Sequence, residues 1–190
     1  MKAFLATLAI VISLLGYIPY FKNTIDKNTK PHIFSWFTWG LASFIAFGIQ
    51  LAEHGGAGAY VNLAMGIGCF ALVLFSLRNG TKYITKMDMV SLSLALLAIV
   101  LWLIVKQPVI SILLVILIDV FSFIPTVLKA WKEPHQESIT PFAASGVKNG
   151  LTILAMSTKS LRTIAYPMYG LISTILFVVM LLVRRSNNTM

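Results

Sequence analysis

Charge is the scarcest property of this chain. Charged side chains make up 11% of its 190 residues, and only six of them are acidic. A water-soluble domain of this length carries roughly a quarter, so a soluble fold is excluded. Cysteine occurs once, as Cys69 within an apolar run. That excludes an intrachain disulfide and points to a small packing residue rather than a reactive thiol. The three histidines, His32, His54 and His135, fall in or beside connecting loops without ligand-like spacing. No metal site and no cofactor are expected. Basic residues bring the formal net charge to +9, yet they sit in short segments between apolar runs. No basic face with interleaved aromatics exists, which argues against nucleic acid as a partner.

Apolar residues are what the chain has in excess: 58% of the sequence, with a mean hydropathy of +0.86. About 20 apolar residues cross a bilayer as a helix. On that basis the sequence predicts an all-α membrane protein with seven transmembrane helices, near residues 2–21, 32–52, 57–77, 87–105, 108–130, 138–157 and 162–183. Lys2 followed by Ala3–Ile18 looks like a secretory signal. No small-residue cleavage site follows it, so it reads as a retained first helix.

The second half is a loose copy of the first at an offset of 106 residues. Ile18-Pro19 returns as Ile124-Pro125, Gly40 as Gly146, Ala59-Tyr60 as Ala165-Tyr166, and Arg78 as Arg184. Three apolar stretches recur in each half, with one spare between. Internal duplication in a membrane chain is characteristic of transporters, with the substrate site between the repeats. The expected organisation is therefore 3+1+3: a first triple-helix bundle over 1–80, a linker helix over 87–106, a second bundle over 107–185, and a tail over 186–190.

Lys and Arg counts set the expected orientation. The side holding the first, third and fifth loops and the C-terminus has ten: Lys22, Lys27, Lys30, Arg78, Lys82, Lys86, Lys129, Lys132, Arg184 and Arg185. The N-terminal side has four: Lys2, Lys106, Lys159 and Arg162. Basic residues stay in the cytoplasm, so the N-terminus is expected outside and the C-terminus inside. With three spans and a linker between equivalent positions, both copies enter the membrane in the same direction and form a parallel repeat. The expected location is the plasma (bacterial inner) membrane.

Parallel triple-helix bundles, N-terminus out, with a proline late in the first helix of each, resemble the SWEET and PQ-loop membrane protein superfamily. In sequence the resemblance is carried by Gly16-Tyr17-Ile18-Pro19-Tyr20 and Ser122-Phe123-Ile124-Pro125-Thr126. Tyr20 and Thr126 stand where the family's Pro-Gln pair has Gln, which marks a divergent member. Trp36-x-x-Trp39 is also similar to a spacing in the SWEET-like nicotinamide riboside carriers. The resemblance implies that Pro19 and Pro125 act as hinges, closing each bundle at the cytoplasmic side; a fixed kink or helix end is the plainer alternative. It also implies that Asn62, in the third helix, faces substrate.

The second helix of each half carries a stripe at helical spacing: Trp36, Trp39, Ser43, Ala46 and Gln50, matched by Phe142, Ser145, Asn149, Thr152 and Met156. Steps of three and four put each set on one face. An interface anchor and small packing residues would explain them individually. As a pair they suit a shared cavity in which tryptophans stack a ring and amides hold hydroxyls, hence a small polar, sugar- or nucleoside-like solute. Tyr166 and Tyr169 join from the last helix.

Asp119 and Lys148 are the only charges deep in the expected spans. By helix rise they lie about 16 and 15 Å from the cytoplasmic ends of their helices. Such residues pair with each other or face a transport path, touching substrate or a coupling proton. A retinal protein would need a lysine in the last span, and residues 162–183 have none. An enzyme would need convergent catalytic groups that are missing. The reading is thus a carrier working by alternating access, with a non-transporting receptor on the same fold as the alternative. The lipid bilayer and a small polar solute are the expected partners; proton coupling and homo-oligomerisation stay open.

Overall fold

The computed structural model describes residues 1–25, 33–77, 86–104, 106–132, 134–136 and 139–187. His32, four of the basic residues counted for orientation (Lys27, Lys30, Arg78 and Lys82) and the last tail residues lie outside the described residues. Among the described residues the chain is entirely helical. Seven α-helices run in order: α1 (Lys2–Ile25), α2 (Ile33–Ala52), α3 (Ala59–Ser76), α4 (Lys86–Leu103), α5 (Pro108–Lys132), α6 (Ile139–Ala155) and α7 (Leu161–Asn187). They fall where hydropathy predicts, with the first, fifth and last running further than expected at their C-terminal ends.

Four segments are long and apolar enough to cross a membrane: Lys2–Lys22, Gly56–Ser76, Pro108–Lys132 and Leu161–Ser186. Shorter apolar runs occupy Trp36–Ala52 and Leu92–Leu103. The exposed faces of these helices are themselves apolar. Ile172, Ile175, Leu176, Val179, Leu182 and Val183 form one outward stripe on α7, and Val11, Leu14, Leu15 and Ile18 form another on α1. Stripes of this length facing outward fit lipid rather than water.

Local chemistry sets the helix ends. Pro108 opens α5, where its missing N–H costs no helical bond. At the end of α4, Gln107 N–H donates to the Leu101 carbonyl at 2.8 Å, with Lys106 at φ +56° between them. That is a left-handed helix stop made without glycine. Ser160 N–H donates to Thr163 Oγ1 at 3.0 Å, closing the first turn of α7.

The helices pack in a closed ring. α1 contacts α3, α3 contacts α2, α2 contacts α5, α5 contacts α7, α7 contacts α6, and α6 returns to α1. α4 lies outside the ring against α5 and α2, where Ala95 and Ala98 join Ala42, Ile45, Ile49, Ile112, Val115 and Ile118 in a buried core. Advancing every ring helix to its copy in the other half reproduces the same ring. The correspondence reaches single residues. Gly16 on α1 lies so close to α6 that an added Cβ would stand 2.7 Å from Ala144 Cβ. Their counterparts at the repeat offset are Ser122 and Thr38, whose hydroxyls meet at 3.5 Å between α5 and α2. Small residues allow such close approach, which is how helices bind each other in lipid.

Gly16→Val should therefore push α1 from α6 and destabilise the fold by about 1–3 kcal/mol. Thermal unfolding in detergent measures this; Gly68→Ala, where an added Cβ meets nothing within 4 Å, serves as the neutral control.

Candidate functional site

Two layers of side chains sit inside the ring. The first is aromatic. Trp36 is buried on α2, edge-on to Trp39 at 5.2 Å and to Tyr17 at 5.8 Å, and tilted against Tyr20 at 5.3 Å. Cys69, Leu72 and Met65 of α3 close this cluster. The other half repeats it with Phe123, Phe142 and Phe177, whose rings pack at 4.3–6.0 Å. Tyr17 corresponds to Phe123 and Trp36 to Phe142 at the repeat offset, so both halves have an aromatic plug at matching positions. In the first half the plug is more polar: the buried Nε1 of Trp39 has no hydrogen-bond partner among the described residues.

The second layer holds the charges. Tyr166 donates to Asp119 Oδ1 at 3.3 Å, and Tyr169 is a second phenol in hydrogen-bonding reach of that carboxylate. Ser43 reaches Tyr166 from α2. Lys148 is 6% exposed and interacts electrostatically with Asp119. Asp119 and Lys148 nevertheless form no direct ion pair among the described residues. The reason is topological: α5 and α6 are sequential, but each packs on α7, which separates them. Asp119 and Lys148 nonetheless stay within electrostatic range of each other. Asn149 lies next to Lys148, its amide pressed over Gly170 where a Cβ would overlap it. Ser145 is half-buried one turn earlier on α6. A partly open apolar recess beside Tyr17, Trp36 and Cys69 offers only about 20 Å³, room for about a single water.

Asn62 occupies a different environment from these groups. Its Nδ2 donates to Gln50 Oε1 at 2.7 Å, and Gln50 Nε2 donates to the Thr163 carbonyl at 2.9 Å. All three residues are buried. The purpose of this chain lies four residues beyond Thr163. Pro167 sits inside α7, and having no N–H it leaves the Thr163 carbonyl without its helical donor. Gln50 supplies the missing bond from another helix, and Asn62 orients the Gln50 amide. Pro167 was unremarked in the sequence because it has no proline counterpart: Val61 stands at the matching position. Of the expected hinges, Pro19 is exposed within α1 and Pro125 falls within the run of α5. Tyr17 and Cys69 also join the centre unforeseen. Their proximity to Asp119 depends on the ring arrangement, which spacing along one helix does not reveal.

At the N-terminal end the two halves are tied together. Arg162 Nη1 meets Glu53 Oε2 at 2.8 Å, Ser157 N–H donates to the Gly55 carbonyl at 2.8 Å, and Lys2 Nζ reaches the Ser157 carbonyl at 3.4 Å. Gly56, at φ +67°, presses against Ser157 where any Cβ would collide. With Gln50 on Thr163, these contacts close that end.

The fold thus defines an all-helical protein of the membrane class with a polar centre. Compared with family models, curated proteins and solved structures, the chain shows no match.

Gln50→Leu strands a buried carbonyl and should lower stability by about 1–3 kcal/mol. In a Pro167→Ala background the carbonyl regains a donor within α7, so the cost of Gln50→Leu should shrink. A double-mutant cycle on thermal unfolding measures the coupling; additive effects would refute the assignment.

Proposed function

We propose that this chain is a carrier for a small polar solute in the plasma membrane, divergent within the SWEET and PQ-loop superfamily. In this reading all seven helices span the bilayer. Helices α1–α3 and α5–α7 are two parallel bundles, α4 is the linker, and the N-terminus is outside. The bundles rock against each other around a midplane site of Trp36, Trp39, Ser43, Asp119, Ser145, Lys148, Asn149, Tyr166 and Tyr169. Asn62 contributes from the side through Gln50. The observation that carries the proposal is the exchange symmetry of the packing: the Gly16–Ala144 contact and its repeat twin, Ser122–Thr38. A pseudo-twofold ring has two equivalent seams, which is what alternating closure requires.

The residue types define the chemistry. Asp119, held by two phenols, accepts hydrogen bonds from hydroxyls or an ammonium. Lys148 and Asn149 donate to an oxygen-rich solute. Trp36, Trp39 and Tyr17 present ring faces. Without a direct ion pair between them, the carboxylate and the ammonium are each open to a polar solute that enters the site. The tied N-terminal end gives one closed gate, and opening it requires the Arg162–Glu53 pair to part. Pro19 and Pro125 remain the proposed hinges for the opposite end.

Flux of sugars, nucleosides and amino acids into liposomes carrying the purified protein is the primary test. Specific ligand binding with no flux of any solute in the panel would favour the receptor reading. A hydrogen bond between a charged group and solute contributes about 1.5–3 kcal/mol. Asp119→Asn and Lys148→Met should therefore each weaken transport about tenfold or more. The double variant should fold as well as either single variant and still not transport. Full flux by the double variant would remove both residues from the path.

Orientation has its own test. With Cys69 replaced, an introduced cysteine at Lys159 should react with an impermeant thiol reagent from outside, and one at Lys132 should not. The reverse pattern would invert the topology.

A further inference from the structure

Away from the central site, a recess of about 330 Å³ opens at the N-terminal end, lined by Glu53, Trp102, Lys106, Pro108 and Arg162. Four helix ends build it: the last turns of α2 and α4 and the first turns of α5 and α7. We propose that this recess binds an oxyanion, a phosphate or carboxylate group carried on a less polar body.

Charge selects the ligand. Two cations and one carboxylate line the recess, and the carboxylate is already used: Glu53 meets a single nitrogen of Arg162 at 2.8 Å. The other guanidinium nitrogens remain available, since the Arg162 side chain is 46% exposed. Lys106 makes no hydrogen bond or ion pair among the described residues, so its three donors are open. An incoming cation would meet one carboxylate already paired with Arg162 and two like charges. An incoming oxyanion meets an open ammonium and the planar edge of a guanidinium, which suits two oxygens at once.

The recess is also preformed. Lys106 is held in its left-handed turn by the Gln107–Leu101 bond, and the Gln107 carbonyl accepts from both Ser111 N–H and Ser111 Oγ at 3.0 Å. Trp102 cannot swing into α2, because its ring already abuts Gly48. Its remaining surface and the Pro108 ring give an apolar wall for whatever bears the anion. Leu103 and Ile104, which follow Trp102 in the chain, are largely exposed. The anion could belong to a dissolved solute or to the headgroup of an anionic lipid; both present the same oxygens. In either case it binds Arg162 beside Glu53, next to the contact that ties α2 to α7. The inference concerns a binding site and stands whether or not the centre transports.

Tryptophan fluorescence of the full chain tests it, with Trp102→Phe separating the local signal from Trp36, Trp39 and Trp131. In phosphatidylcholine nanodiscs, inorganic phosphate at constant ionic strength should give a saturable change that is lost in Trp102→Phe. Lys106→Asn, a residue that tolerates the left-handed turn, should weaken apparent phosphate affinity about tenfold without lowering the unfolding temperature. In nanodiscs containing phosphatidylglycerol, the Trp102 signal should be unchanged if the source is a dissolved anion. It should appear without phosphate, and depend on Lys106, if the source is a headgroup. Absence of a saturable Trp102 signal in both bilayers, or an undiminished signal in Lys106→Asn, would overturn the proposal.

Discussion

A proline within a buried helix needs a hydrogen-bond donor from elsewhere, and much of this fold is arranged around meeting that need. Pro167 deprives the Thr163 carbonyl of its partner inside α7. In an apolar interior no water is at hand to replace it. Gln50 does so from α2 at 2.9 Å, which fixes the depth of α2 against α7 as well as the rotation of both. Asn62 donates to the other end of the same amide at 2.7 Å and so brings α3 into register. Glu53 follows Gln50 by three residues and Arg162 precedes Thr163 by one, so the ion pair lies directly above the buried bond. One carbonyl without a helical donor thus sets the register of the closed end, to which the Ser157–Gly55 and Lys2–Ser157 contacts add.

What could be read from the sequence follows from how each feature is encoded. Helix positions are written in contiguous hydropathy, and the seven expected segments coincide with the seven helices among the described residues. Their ends depend on particular residues, such as the left-handed turn at Lys106; hydropathy alone left them loose by several residues. The stripe of Trp36, Trp39 and Ser43 was visible because one helix carries it at fixed spacing. The company it keeps was not. Tyr17 and Cys69 reach the same centre from other helices, and Gln50, read as the end of that stripe, turns instead to α7. Asn62 was expected at the substrate through a family resemblance, and its amide nitrogen is committed to Gln50. A resemblance carries over a position, whereas the partner of a side chain depends on what replaced the rest of the pattern, here Pro167 where the first half has Val61.

Positions 106 residues apart make matching contacts, and the differences between them supply chemistry. Gly16 with Ala144 and Ser122 with Thr38 are one seam in two chemical versions, the first closed by small apolar atoms and the second by hydroxyls. The same divergence places Asp119 against Ser13 and Lys148 against Ala42 at the repeat offset. Both charges arise in the second half, on helices that α7 holds apart. Had they fallen on neighbouring helices, they would collapse into a direct pair and cancel. Held apart, each keeps a strong field in a medium that screens it poorly; two phenols reach Asp119, and Asn149 adjoins Lys148. In the carrier reading proposed above, a polar molecule or a proton entering such a centre gains more than it would from a closed salt bridge. In that reading, the separation of the two charges rests on the position of α7 between α5 and α6.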